Sequence, residues 1–277
     1  MSIGVIGAGV MGRGVAERFA VHGYHVILVD NSQEALTAAA IGIKRRLGFA
    51  RMTGAKLDIA EILERISYSG EIGSLSETEF IIENVVENAD VKKQVYGQMD
   101  KAANTYCIFI SNTSCIPITE IGVFTGRADR VIGSHFMNPA STKNFAEVIK
   151  GYHTSKNTVS KLTALLSSVD IECEVINDGA GFVSNRLSHL FMNEAANVVY
   201  EGIATPKQVD AIFKKGFGHS MGPLETADLI GLDTVVDSLK VLYDNYQDPK
   251  FRVCPLLKKM TLAGVYGRKS GKGFYQY

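Results

Sequence analysis

The first thirty residues alternate between two patterns. Ile3–Ile6 and His25–Val29 are short apolar runs, as expected of strands buried on both faces. Between them, Val10–Val21 places apolar residues at helical spacing, among them Val15, Phe19 and Ala20. The alternation returns downstream. Helices are predicted from Ser32 to Arg46 with Ser32 as N-cap, near Leu57–Arg65, over Ala89–Ala103 and over Ser155–Val169. Strands are predicted at Phe80–Ile82, Cys107–Ile110 and Val131–Ser134, while Glu172–Ile176 alternates like an edge strand. Phe145–Ile149 fits a strand or a turn. Strands alternating with helices imply a parallel sheet with right-handed crossovers. Beyond Asn177-Asp178-Gly179 the pattern is helical, broken at glycines and prolines. The predicted class is therefore α/β: a doubly wound sheet over residues 1–178, then an all-helical domain over residues 179–277.

Composition narrows the function classes. Of 277 residues, 46% are hydrophobic and 21% charged, enough apolar material for packed cores. The net charge of zero argues against nucleic acid as the main partner, because phosphate binding needs a basic excess. Cys107, Cys115, Cys173 and Cys254 are scattered, with neither a CxxC pair nor zinc-ligand spacing, so no metal site is expected. They fit reduced thiols in a reducing compartment. No run of about 18 apolar residues offers a membrane span, and no signal peptide precedes the first strand. A cytoplasmic protein is the expectation.

The first turn carries chemistry. Gly7-Ala8-Gly9-Val10-Met11-Gly12 is a GxGxxG sequence placed directly after one strand and opening a helix. Such a turn lets the backbone approach a pyrophosphate, and the helix N-terminus presents free N–H groups to it. Asp30 ends the second strand near the spacing of about 20 residues at which an acidic side chain meets the ribose hydroxyls. The first domain thus reads as Rossmann-like. A carboxylate would repel a 2′-phosphate, and Asn31-Ser32 offers no arginine to hold one, so NAD is preferred over NADP. The bland alternative for Asp30 is a helix N-cap.

Dehydrogenation of an alcohol needs a base near neutrality, which suits histidine. Among His22, His25, His135, His153, His189 and His219, His135 alone follows a buried strand of the central alternation, where open α/β folds build their sites. Glu147 lies twelve residues on, within the apolar run Phe145, Ala146, Val148, Ile149. A carboxylate so placed needs a partner, and pairing with His135 would fix its tautomer. A purely structural ion pair between two loops fits the same spacing.

Several motifs in order resemble the short-chain 3-hydroxyacyl-CoA dehydrogenases across essentially the whole chain. They are GAGVMG at Gly7, VEN at Val86–Asn88, SNTS at Ser111–Ser114, HFMNP at His135–Pro139 and GFVSNRL at Gly181–Leu187, then GHSMGP at Gly218–Pro223, ADLIGLD at Ala227–Asp233 and GRKSGKGFY at Gly267–Tyr275. The resemblance implies an active site in a cleft between a Rossmann-like and a helical domain, the latter forming a homodimer. It implies His135 as general base, Glu147 as its partner, and Ser114 and Asn185 around the substrate's oxygens and the histidine. Glu87, Lys92, Ser114, Asn138 and Lys269 match positions near the NAD ribose and nicotinamide. Lys44, Arg45, Arg46 and Arg51 fall where the family's helical arm meets the phosphates of CoA, although a solvated helix face or a docked acyl carrier protein suits the same cations.

The chain departs from the family between His135 and Glu147. Ala-Ser-Thr-Lys-Asn-Phe-Ala-Glu at Ala140–Glu147 replaces the usual Ala-Pro-Val-Met-Lys-Leu-Val-Glu, while Met137 and Ser134 replace a phenylalanine and an apolar residue. The changes add hydroxyls and move a cation to Lys143. They suit a smaller or more polar acyl group, such as a carrier-bound hydroxymalonyl thioester of polyketide extender-unit biosynthesis. A non-catalytic NAD-binding homologue is disfavoured by the intact His135, Glu147, Ser114 and Asn185.

Overall fold

The computed structural model describes residues 2–277. The chain divides between Gly179 and Ala180 into two compact units.

The first unit is built on one eight-stranded sheet, in the order β3-β2-β1-β4-β5-β6-β7-β8. Its strands are β1 (Ser2–Ile6), β2 (His25–Val29), β3 (Ile66–Ser69), β4 (Phe80–Glu83), β5 (Ile108–Ser111), β6 (Val131–Phe136), β7 (Phe145–Lys150) and β8 (Glu172–Asn177). The helices of this unit are α1 (Val10–Val21), α2 (Gln33–Met52), α3 (Ile59–Glu64), α4 (Ala89–Ala102), α5 (Ile118–Gly122) and α6 (Lys156–Ser167). Ile3, Val5, Val15, Phe19 and Leu28 are buried in one core between sheet and helices. That placement is why β1 and β2 can be continuously apolar.

Three departures from the sequence reading have physical causes. Helix α2 runs six residues past Arg46, because its buried stripe Leu36, Ala39, Ile43 continues to Leu47 at helical spacing. Its N-cap is Ser32, whose side chain accepts from Ala35 N–H. Strand β3 escapes the apolar pattern because it is an edge strand with only Ile66 buried. The sheet is not wholly parallel: β6 pairs β7 antiparallel, and β7 pairs β8 parallel. Residues 137–144 join β6 to β7 without a helix. A parallel crossover needs a dozen residues or more, so this link can only reverse the chain.

The second unit is helical, as predicted: α7 (Ser184–Tyr200), α8 (Pro206–Gly216), α9 (Pro223–Ile230), α10 (Leu232–Tyr246) and α11 (Pro255–Leu262). Thr205 and Gln208 form a capping box at the start of α8, with Pro206 in the first turn. Leu224, Ala227, Leu232, Val235, Leu239 and Leu257 are fully buried in its core. Two buried carboxylates organise the rest. Asp210 accepts from the N–H groups of Leu224 and Glu225, each at 2.9 Å, and from the Tyr275 hydroxyl at 2.7 Å. Asp228 accepts from the N–H groups of Phe274 and Tyr275, each at 3.0 Å, and from the Tyr277 hydroxyl at 3.1 Å. Burial pushes the Asp228 carboxyl above its ordinary range against the pull of these bonds. A Cβ on Gly273 would lie 2.0 Å from Asp228 Oδ1, and one on Gly222 would lie 2.3 Å from Asp210. Much of what makes GHSMGP, ADLIGLD and GRKSGKGFY recognisable is therefore this aspartate-held packing.

Candidate functional site

The glycine turn joins β1 to α1. Gly7 adopts φ +92°, and a Cβ there would stand 2.7 Å from Asn84 O. A Cβ on Gly12 would stand 1.7 Å from Gly7 O, so glycine is needed for helix and strand to close up. Gly9 differs: nothing lies within 4 Å of its would-be Cβ. The protein itself does not require glycine there, which leaves the space for a ligand to claim. Gly9 is also the N-cap of α1 and supplies no side-chain cap, so the helix keeps its positive end for an anion. Ala8 N–H donates to Asp30 Oδ2 at 2.7 Å, and Ser32 N–H donates to Asp30 Oδ1 at 2.9 Å. Asp30 fastens the turn and is not the N-cap of α2. Each carboxylate oxygen keeps a lone pair for a ribose hydroxyl. Gly7, Gly9 and Asp30 line a cleft of about 750 Å³ together with Val29, Asn84 and Val86. Uncapped N–H groups, an open glycine and a ribose-seeking carboxylate fit NAD.

These roles separate by experiment. Gly9→Ala should leave the melting temperature unchanged and weaken NAD about tenfold, or about 1.4 kcal/mol. Gly12→Ala should cost about 1–3 kcal/mol of stability by overpacking. Calorimetry and NAD titration on both variants check this. Equal loss of stability in the two would refute the distinction.

His135 is the penultimate residue of β6 rather than part of a following loop, and Glu147 lies directly opposite it on β7. His135 Nδ1 and Glu147 Oε2 are 2.9 Å apart, and both side chains are largely buried. The pair spans neighbouring antiparallel strands, not two loops as its bland reading had it. Cross-strand neighbours place their Cβ atoms within about 5.5 Å, which lets a short histidine–carboxylate pair form without reaching. The carboxylate favours the proton on Nδ1.

The link between these strands is held from α1. Arg18, buried, donates through Nη2 to Lys143 O and Asn144 Oδ1, each at 2.6 Å, and through Nε to Ala140 O at 3.4 Å. Ala140 also packs against Gly14 of the same helix. Lys143 is held by its backbone, while the residue itself is exposed. Asn138 is exposed and precedes the cis peptide to Pro139.

Lys92 and Glu87, both expected beside the cofactor, stand next to each other, Lys92 fully buried and Glu87 exposed. Lys92 on α4 is fully buried, with Nζ 2.7 Å and 2.9 Å from the Glu83 oxygens and 3.7 Å from Glu87 Oε2. A buried ammonium needs such partners, and Glu83 supplies them from the end of β4. Glu87 Oε1 accepts from the Thr113 hydroxyl at 2.5 Å and from the N–H groups of Ser114 and Cys115 at 2.9 and 2.8 Å. Both residues thus shape the loop that carries Ser114. Glu83 itself, and the asparagines Asn84 and Asn112, were missed in the sequence, where each lies inside or beside a motif without a periodic signal.

Arg46 is tied to Glu17 of α1, its Nη2 lying 2.5 Å from Oε2. Burial raises the Glu17 pKa, while Arg46, Arg13 and Arg18 pull it down. Arg13, Gly42, Arg45, Arg46 and Phe49 line a cleft of about 300 Å³ between α1 and α2. Lys44 and Arg51 are exposed on the same helix. Asn185 lies in the first turn of α7 in the second unit, and Lys269 there pairs with Asp233 at 2.6 Å. Among the described residues, no group of three or more His, Cys, Asp or Glu side chains could hold a metal ion, and no helix is long and apolar enough to cross a membrane.

A dinucleotide turn on a doubly wound sheet, with a histidine–carboxylate pair across β6 and β7 of the same sheet, defines a dinucleotide-dependent dehydrogenase. Comparison with known proteins narrows the class. Residues 2–179 match the model of the 3-hydroxyacyl-CoA dehydrogenase NAD binding domain, and residues 181–277 match that of the 3-hydroxyacyl-CoA dehydrogenase C-terminal domain. The chain is 41% identical over 281 residues to a probable 3-hydroxybutyryl-CoA dehydrogenase of Deinococcus radiodurans, covering 100% of both. It is 40% identical to a protein of the same description from Bacillus subtilis, covering 99% of this chain and 96% of that one. Its structure matches the crystal structure of (S)-3-hydroxybutyryl-CoA dehydrogenase from Ralstonia eutropha with a TM-score of 0.95 at 38% identity, covering 100% and 98% of the two chains. The chain belongs to the 3-hydroxyacyl-CoA dehydrogenase family, and it is an NAD-dependent oxidoreductase.

Proposed function

We propose that this chain oxidises a short 3-hydroxyacyl-CoA to the 3-ketoacyl-CoA, reversibly, with His135 as general base and Glu147 as its partner. The observation that carries the assignment is the 2.9 Å contact between His135 Nδ1 and Glu147 Oε2 across directly opposed strand positions. NAD, when bound in the cleft at Gly7, Gly9 and Asp30, supplies the hydride acceptor. His135 Nε2 takes the proton of the 3-hydroxyl. Glu147 holds the ring and stabilises the imidazolium that results. In the reverse direction the same Nε2–H protonates the oxygen of the developing alkoxide. Ser114 and Asn185 are assigned to the substrate's oxygen groups, with Asn138 and Lys269 on the cofactor side. Glu87 and Lys92 support the cofactor through the Ser114 loop.

The phosphates of CoA are assigned to Arg45, Arg46 and Arg51 of α2, with Arg13 of α1 facing the same cleft. Lys143 is assigned to the acyl end of the substrate. A homodimer contact is assigned to the second unit, which exposes Val183, Leu187, Ile203, Ile212 and Phe217. None of the four cysteines forms a disulfide, in keeping with a cytoplasmic enzyme, and burial pushes the Cys107 thiol up to about 11.

The test is a side-by-side assay of NADH absorbance with acetoacetyl-CoA and with carrier-protein thioesters, including a hydroxymalonyl one. Turnover of acetoacetyl-CoA in the range of an ordinary enzyme, about 1–10³ s⁻¹, is expected. Turnover confined to carrier-bound substrates would overturn the CoA assignment. No turnover with any thioester would return the chain to the class of NAD-binding proteins.

A further inference from the structure

Strand β6 outruns its neighbour. It pairs with β5 only through Val131, Ile132 and Gly133. Ser134, His135 and Phe136 extend past that register and stand opposite Val148, Glu147 and Ala146 of β7. Beyond Gly133 a gap in the β5–β6 register begins.

A side chain closes it. Asn112, the residue after β5, accepts the Phe136 N–H on its Oδ1 at 3.2 Å. A backbone N–H can only donate, so the amide is oriented with its Nδ2 pointing the other way. That Nδ2 donates to Asn84 Oδ1 at 2.7 Å. Asn84, the residue after β4, then directs its own Nδ2 to Ile82 O at 3.1 Å and to Ile6 O at 3.4 Å. The bonds all run in one sense across the ends of four adjacent strands, from β6 through β5 and β4 to β1. Beyond Ile6 lies Gly7, whose would-be Cβ meets Asn84 O, and Asn84 itself lines the dinucleotide cleft.

We propose that Asn112 and Asn84 are positioning residues: a two-amide ladder that carries the connection between β6 and β5 past Gly133 to Phe136 and sets that end of β6 against the dinucleotide turn. The proposal rests on His135 being the base, as assigned above. Its consequence is that the end of β6 and the cofactor turn share one edge, so loosening either amide should shift His135 relative to that turn. Misplacement on the order of 1 Å costs about a hundredfold in rate, so partial loosening should cost roughly tenfold.

The experiment compares kcat, at saturating NAD and thioester, for Asn112→Ala, Asn84→Ala and the double variant, with melting temperature beside it. Asn112→Ala should lower kcat roughly tenfold while the KM for NAD stays within about twofold, because Asn112 is not among the residues lining the cleft. Asn84→Ala should lower kcat in the same direction. The double variant should lose no more than Asn112→Ala alone, since both act through one ladder. Asn112→Asp, which keeps an oxygen for the Phe136 N–H, should recover part of the lost kcat. If Asn112→Ala fails to fold, Asn84→Ala and Asn112→Asp carry the comparison. Unchanged kcat with a lowered melting temperature would reduce the ladder to a structural feature. Additive losses in the double variant would show two separate local roles. Failure of the underlying assignment is distinct: His135→Ala would then turn over normally whatever the asparagines do.

Discussion

Replacing His135 with alanine should lower kcat about a thousandfold, or about 4 kcal/mol of transition-state stabilisation, with little change in NAD affinity. His135 lies on β6, whereas the glycine turn and Asp30, assigned to the cofactor, follow β1 and β2. The ring's removal should therefore not disturb the cradle. Glu147→Gln keeps the shape of its partner and removes the charge. It should cost less, on the order of ten- to a hundredfold, because the ring keeps its place while the imidazolium loses its counter-charge. Stopped-flow NADH absorbance with the same thioester measures both. A His135→Ala enzyme within tenfold of the parent would remove the histidine from the chemistry.

The largest effect on stability is expected at Lys92. Its ammonium and the Glu83 carboxylate are both fully buried, and the Ser111 hydroxyl donates to Glu83 Oε2 at 3.1 Å. Lys92→Met leaves that carboxylate sealed in without its counter-charge and should cost about 3–5 kcal/mol in denaturant unfolding. The double variant Lys92→Met/Glu83→Gln should regain part of the loss, because no bare charge is then buried. Glu87 should also hold the Thr113–Cys115 turn less firmly, so the KM for substrate should rise in the single variant. A loss below 1 kcal/mol would mean that water or another cation reaches Glu83.

How far the sequence revealed this site depended on the kind of interaction. The turn at Gly7–Gly12 and the carboxylate of Asp30 were legible because their chemistry is local: a strand, a tight turn and a helix follow one another along the chain. His135 and Glu147 were legible as candidates, since a carboxylate in an apolar run must find a partner. Their arrangement was not. Only the pairing of β6 with β7 makes them opposite neighbours, and chain reversal through residues 137–144 leaves no periodic mark. The burial of Lys92 was not legible, because a lysine on an otherwise charged helix gives no sign of Glu83 beneath it. Arg18 and Asn112 were invisible for the same reason, since their partners lie far along the chain. In the second unit, the recognised motifs spell out the needs of Asp210 and Asp228 more than those of a substrate.

The antiparallel pairing of β6 and β7 also bears on how such an enzyme can diversify. The spacing of His135 and Glu147 is set by strand register, in two strands buried along most of their length, including Ile132, Val148 and Ile149. The link between the strands does not set it. Residues 137–144 can therefore change in composition, and within limits in length, without moving His135 against Glu147. The Ser141-Thr142-Lys143-Asn144 sequence, anchored by Arg18, lies in that link, so it can drift while the strand register that pairs His135 with Glu147 is inherited intact.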